Sequence, residues 1–166
     1  NFFAGLRKNE QAEQTYLKAI EVEPENIKPY LVLAAYYDAN GKKDEALATY
    51  QKALAVQPDD FRIKHAIASF YFRNKDIDKA EKAIAEILAE RPDYIPVRIL
   101  KGEILLAKGG FDDAIALFGQ LMKEEPNSDQ VYYLRGLAYL GKRDVRMGKA
   151  DVAKAVELNP RHIKAK

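Results

Sequence analysis

Between Ile27 and Asp60 the apolar residues fall into two helical stripes. Tyr30, Leu33, Ala34 and Tyr37 recur at steps of three and four, which places them on one face of a helix. Asn40-Gly41-Lys42-Lys43 then interrupts the stripe, and Gly41 is free to take a positive φ. A second stripe follows at Ala46, Leu47, Tyr50, Ala53 and Leu54. Pro58 stops it, because proline cannot continue a helix. Asp60 sits where the next helix needs an N-cap, and Asn26 and Ser128 hold the same place elsewhere. Asp76 and Asp144 can cap second helices in the same way. The pattern predicts two helices joined by a tight turn.

That unit recurs. Pro24, Pro58, Pro92, Pro126 and Pro160 are spaced by 34 residues at every step (58−24, 92−58, 126−92, 160−126). Ala12, Ala46, Ala80, Ala114 and Gly148 keep the same beat, as do Phe3, Tyr37, Tyr71, Leu105 and Tyr139. Tyr16, Tyr50, Ile84, Phe118 and Val152 form a further ladder. Ala34, Ala68, Gly102 and Gly136 supply small residues on the first helices, so that paired helices can approach closely. Full repeats are predicted at 27–60, 61–94, 95–128 and 129–162, within a single array over 1–166. Residues 1–26 read as a partial repeat, with Asn1 to Leu6 the tail of a first helix and Glu10 to Glu23 a second helix. Residues 163–166 start a further repeat. Both ends fall inside repeats and neither is a polar capping helix, so the parent protein is expected to continue on both sides. The cut ends, with Phe2 and Phe3 at one of them, offer a route to self-association.

The array resembles tetratricopeptide repeats (TPR), whose pattern runs large, large-small, aromatic, Ala, aromatic, Ala and Pro over one period. Ile27 to Asp60 follows it at Tyr30, Leu33-Ala34, Tyr37, Ala46, Tyr50, Ala53 and Pro58, and the resemblance extends over essentially the whole chain. It implies an all-α solenoid of antiparallel helix pairs stacked into a right-handed superhelix, with first helices lining a concave groove. The style also resembles bacterial arrays. Four residues depart from the pattern. Lys64 and Arg98 replace the first large residue of their repeats, and Lys101 and Arg135 replace the second. Leu100 and Leu134 stand beside the latter two and can restore the apolar contact, while the long basic stems can lie along apolar surface.

Composition narrows the function. Lys plus Arg number 27 and Asp plus Glu 25, a net charge of +2, so neither a polybasic nucleic-acid arm nor an acidic tail dominates. There is no cysteine, which excludes disulfides, thiolate metal sites and a cysteine nucleophile but leaves the compartment, cytoplasmic or periplasmic, open. No apolar run reaches the length of a membrane span. The chain opens at Asn1 without a charged region followed by an apolar one, and reads as a piece of something longer. His65 and His162 lie nearly three repeats apart without a ligand partner at metal-binding spacing. Gly109-Gly110 is a turn between helices; it lacks the Lys-Ser/Thr of a phosphate loop. Asp112-Asp113 and Glu124-Glu125 are adjacent acids that point to different azimuths of a helix. No catalytic, metal or cofactor constellation emerges, and no enzyme activity is expected.

The resemblance assigns the groove to the second, fifth, ninth, twelfth and thirteenth residues of each first helix. The residues singled out are Lys28, Leu31, Arg62, His65, Phe72, Arg73, Ile99, Glu103, Leu106, Tyr133, Leu137 and Leu140. Basic side chains gather early and apolar ones late. The Lys/Asn pair of TPR clamps for chaperone tails is missing: the equivalent pairs are Leu31/Ala35, His65/Ser69, Ile99/Glu103 and Tyr133/Leu137. The Asn ladder of glycosyltransferase-associated arrays is missing too, since that slot holds Val32, Ala66, Leu100 and Leu134. A protein-interaction scaffold is expected, binding a peptide or helix of a partner, with Ile99, Leu106, Tyr133, Leu137 and Leu140 as apolar anchors. Those residues could equally pack against neighbouring repeats. The alternatives are an assembly or self-association module, or the targeting arm of an enzyme whose catalytic domain lies outside the chain. Nucleic acid and membrane insertion are not expected.

Overall fold

The computed structural model describes the backbone of residues 2–160 and side chains from Gln11 onward. Among the described residues there are nine helices and no strand. They are α1 (Phe2–Val22), α2 (Ile27–Ala39), α3 (Lys43–Val56), α4 (Phe61–Arg73), α5 (Ile77–Glu90), α6 (Ile95–Ala107), α7 (Phe111–Glu124), α8 (Asp129–Gly141) and α9 (Val145–Leu158). The chain forms two compact units, 1–83 and 84–166, the division falling within α5.

The turns between first and second helices share one geometry. Gly41, Lys75, Gly109 and Arg143 all take positive φ, at 75°, 64°, 77° and 65°. Each begins a pair of helix-closing hydrogen bonds. Lys42 N–H donates to the Tyr37 carbonyl, Asp76 to Tyr71, Gly110 to Leu105 and Asp144 to Tyr139. The residue before each donates to a carbonyl three positions back, completing the left-handed cap that ends a helix and reverses the chain. Two of the four positions carry side chains where glycine fits best, and that conformation costs such residues roughly 1–2 kcal/mol. At the other helix ends, Asn26 and Asp60 accept from the backbone N–H two residues on, and Ser128 and Asp144 from the one three residues on. Asp76 receives the Lys79 ammonium at 2.6 Å.

α1 departs from expectation. The break predicted between Leu6 and Glu10 does not form, and one helix runs from Phe2 to Val22. Arg7-Lys8-Asn9 occupies the turn slot with neither a glycine, as at Gly41 and Gly109, nor the cap aspartate that follows Lys75 and Arg143, so nothing in it favours a break. The segment 163–166 lies outside the described residues.

In the unit 1–83, α1 packs on α2, α2 on α3 and α3 on α4. Its core joins Leu33, Ala34, Tyr37, Ala46, Tyr50 and Phe70, with a second cluster at Ile27, Tyr30, Ala53 and Ile63. The Tyr50 and Phe70 rings meet at 5.9 Å in a tilted arrangement. In the unit 84–166, α6, α7, α8 and α9 pack in succession around Ala114, Phe118, Leu121, Val131, Leu134 and Ala138. The small-residue ladders mark the closest approaches. A Cβ built on Gly102 would come within 2.3 Å of the Phe118 ring, and one on Gly136 within 2.9 Å of Val152.

Two of the departures in the later repeats, Arg98 and Arg135, are resolved by paired charges, while Lys101 is exposed. Arg98 forms two hydrogen bonds to Glu124, at 2.5 and 2.8 Å. Arg135 grips Asp151 with Nε at 2.7 Å and Nη2 at 2.8 Å, and Asp151 is buried. Leu100 and Leu134 are buried beside them, as the sequence suggested. Lys64 lies over the Phe61 ring.

Candidate functional site

α2 and α4 are the first helices of consecutive repeats, and their groove-register residues line an open cavity of about 630 Å³. It lies within the unit 1–83. Leu31, Ala35, Asp38 and Ala39 come from α2; His65, Ala66, Ser69 and Arg73 come from α4. Tyr50 of α3 and Asn74, just past α4, complete the lining. Leu31, Ala35, Ala39 and Ala66 make an apolar wall, and the three alanines are short enough in side chain to leave the space open.

One end of the cavity is polar and internally tied. Arg73 Nε donates to Asp38 Oδ2 at 2.9 Å, and Asn74 Nδ2 donates to Asp38 Oδ1 at 2.9 Å. Asn74 also donates to the Phe70 carbonyl at 3.0 Å, which anchors it to the end of α4. The carboxylate is thus satisfied on both oxygens and its side chain is only 11% exposed, while that of Arg73 is 50% exposed. Such a half-exposed pair adds little to stability, but it fixes a charged group at the cavity mouth. Burial pushes the Tyr50 hydroxyl up, and the charge and hydrogen bonding of Arg73 oppose that shift. His65 sits 3.3 Å from the Ser69 hydroxyl. Burial, and then the Arg73 charge, hold its imidazole below the ordinary value of 6.5. The imidazole is therefore neutral at pH 7, and the cavity carries one positive and one negative group that cancel.

Of the residues singled out in the sequence, Leu31, His65 and Arg73 meet in this cavity. Lys28 and Arg62 are exposed near the starts of α2 and α4, and Arg62 pairs with Asp60. Phe72 is half-buried on α4 outside the lining. In the unit 84–166, Ile99, Leu106, Tyr133 and Leu137 are half-buried and pack on the cluster around Phe118. Glu103 is half-buried on α6. Leu140 is 39% exposed, and its Cγ lies within 2.6 Å of where a Cβ on Gly148 would stand. Tyr50, Ala66 and Asn74 were not anticipated. Tyr50 belongs to a core ladder, Ala66 occupies the slot that holds asparagine in glycosyltransferase-associated arrays, and Asn74 lies one residue beyond the helix. The sequence signal was the opposite charges of Asp38 and Arg73 in adjacent repeats.

Among the described residues no group of three or more His, Asp or Glu side chains could hold a metal ion. No helix among them is long and apolar enough to cross a membrane.

Three family models described as tetratricopeptide repeat match the chain: one over 2–26 and 129–162, one over 31–95 and one over 71–138. No curated protein matches it in sequence. Among solved structures it is similar to YrrB, described as a TPR protein with an unusual peptide-binding site. The identity is 19% and the TM-score 0.62, covering 98% of this chain and 84% of that one. A tetratricopeptide repeat protein from Parabacteroides merdae is 21% identical with a TM-score of 0.75, over 93% of this chain and 60% of that one. MamA from Desulfovibrio magneticus is 25% identical with a TM-score of 0.64, over 83% and 78%. These likenesses are likenesses of fold.

Proposed function

Since the chain belongs to the tetratricopeptide repeat family, we propose that it holds a peptide or helix of a partner protein in the α2–α4 cavity. Proteins of this family are generally protein-interaction scaffolds, and their fold is typically non-catalytic. The observation that carries the reading is the cavity of about 630 Å³ whose apolar wall ends in a fixed Asp38–Arg73–Asn74 network. A buried aliphatic or aromatic side chain of the partner would lie against Leu31, Ala35, Ala39 and Ala66, a burial worth roughly 1.5–3 kcal/mol. The remaining Arg73 N–H groups and the Ser69 hydroxyl would meet polar atoms of its main chain. Because Asp38 already fixes Arg73, little ordering entropy is lost by the receptor on binding. The peptide-binding description of YrrB agrees in kind.

In the unit 84–166, Ile99, Leu106, Tyr133, Leu137 and Leu140 form a second candidate surface, of which Leu140 presents the most apolar area. A peptide-display selection on wild type, Ala35→Glu and Leu137→Glu separates the two, with folding checked by circular dichroism. Ala35 is exposed on α2, so glutamate there fills the cavity without entering the core. Peptides enriched on wild type and lost on folded Ala35→Glu support the cavity. Peptides lost only on Leu137→Glu move the site to α6 and α8. No enrichment on wild type refutes the peptide-binding reading and turns attention to self-association.

A further inference from the structure

The second helices of the array begin alike, with one exception. α3 opens with Asp44 and Glu45, α5 with Asp78 and α7 with Asp112 and Asp113, all placed to complement the positive end of the helix dipole. α9 has no acid in its first turn and carries Arg146 where the others carry Asp44, Asp78 and Asp112. That choice works against the dipole. It is accompanied by Lys142, Arg143 and Lys149, all exposed. Of the carboxylates nearby, Asp112 is engaged with Lys142 and Asp144 with the Met147 N–H, and Asp113 follows Asp112 in the same turn. Among the described residues no ion pair holds Arg143, Arg146 or Lys149. Val145, in the middle of this cluster, is 50% exposed.

We propose that the start of α9 is a docking surface, separate from the first-helix groove, for an acidic protein segment with an apolar residue among its carboxylates. Four cations against Asp112, Asp113 and Asp144 leave the patch net positive, which calls for an acidic partner. Val145 favours a peptide over a phosphate backbone, because it offers an apolar contact that a row of phosphates would not use. The patch spans one turn and one helical start, short of the basic stripe that tracks a nucleic acid.

The test is fluorescence anisotropy with a labelled peptide of glutamates flanking a central leucine, against the whole chain at about 50 mM salt, where surface charges are weakly screened. The expected result is saturable binding that weakens with added salt. Arg146→Asp combined with Lys149→Glu should weaken it about tenfold or more, while Lys52→Glu, a charge reversal on α3, changes it less than about twofold. The thermal midpoint of Arg146→Asp should meanwhile rise by about 2–4 °C, since the substitution restores the acidic first turn of the sister helices. A gain in stability with a loss of binding separates docking from a structural role. The proposal is overturned if wild type shows no saturable binding, if the double variant binds equally, or if a lysine peptide of the same layout binds as well. Tighter binding of a short DNA duplex or of phosphatidylserine vesicles than of the acidic peptide overturns it too.

Discussion

Arg135 and Asp151 give the sharpest stability test. In the repeat 27–60 the equivalent slots hold Leu33 and Thr49, and both are buried. In the last repeat the same space holds a guanidinium and a carboxylate joined by two hydrogen bonds, with side chains 19% and 7% exposed. Arg135→Leu strands a buried carboxylate. It should cost about 2–4 kcal/mol, toward the lower part of the range for breaking a buried pair because Arg135 retains some exposure. Asp151→Thr should cost less, about 1–2 kcal/mol, since the long Arg135 side chain can reach solvent. The double variant rebuilds the Leu33–Thr49 arrangement and should fall within about 1 kcal/mol of wild type, because a buried ion pair and a well-packed apolar pair are near equivalence. Urea unfolding followed by circular dichroism measures all three, and with the double variant near wild type the cycle should return a coupling of roughly 3–6 kcal/mol. A double variant no better than the sum of the two singles would refute the reasoning. So would an Arg135→Leu variant as stable as wild type.

Lys75→Gly should stabilise by about 0.5–1 kcal/mol, because glycine removes the left-handed strain at a larger gain than the chain entropy it adds; a lower urea midpoint would contradict this. Gly102→Ala should destabilise by roughly 1–3 kcal/mol, since its Cβ would stand 2.3 Å from the Phe118 ring, and a truncating Phe118→Leu in the same chain should recover part of the loss. Hydrogen bonds from Tyr37 and Lys42 hold the Glu13 carboxyl below its ordinary 4.5. Its contribution is present in full above that value and lost as pH falls through the lower folded-state value, so Glu13→Gln should flatten the acid limb of a stability–pH curve. Tyr37 is pushed up to about 12 by burial and then by Glu13. Stability should therefore decline as pH rises from 10 toward 12, a decline that Tyr37→Phe reduces, with the raised Tyr50 hydroxyl leaving a remainder. His65 titrates below 6.5 in the folded chain, so acidification through that value should destabilise wild type more than His65→Gln.

The helix pairs were legible because each rests on a local rule repeated in register. Proline stops, cap residues and apolar steps of three and four do not depend on distant chain. Gly41 announced its turn, but Lys75 and Arg143 adopt the same backbone without a glycine, and the cue there is the cap residue that follows, Asp76 and Asp144. α1 shows the converse: the turn slot Arg7-Lys8-Asn9 has neither a glycine nor an aspartate at the cap position, and it stays helical. The site was legible only as a register. Leu31, His65 and Arg73 were placed on the groove face, yet the cavity depends on small residues such as Ala35, Ala39 and Ala66, whose contribution is the space they leave. Emptiness has no residue signature. Asp151 was likewise invisible as the partner of Arg135, because the pairing joins two helices sixteen residues apart in the chain.

The most direct measurement is amide chemical-shift mapping of the chain with a peptide taken from the display selection. The account predicts that the perturbed amides cluster at Ala35, Ala39, Ser69 and Asn74, with Asn74 affected through its tie to Asp38. Perturbations confined to Tyr133, Leu137 and Leu140, or to the start of α9, would contradict the assignment of the peptide site to the α2–α4 cavity.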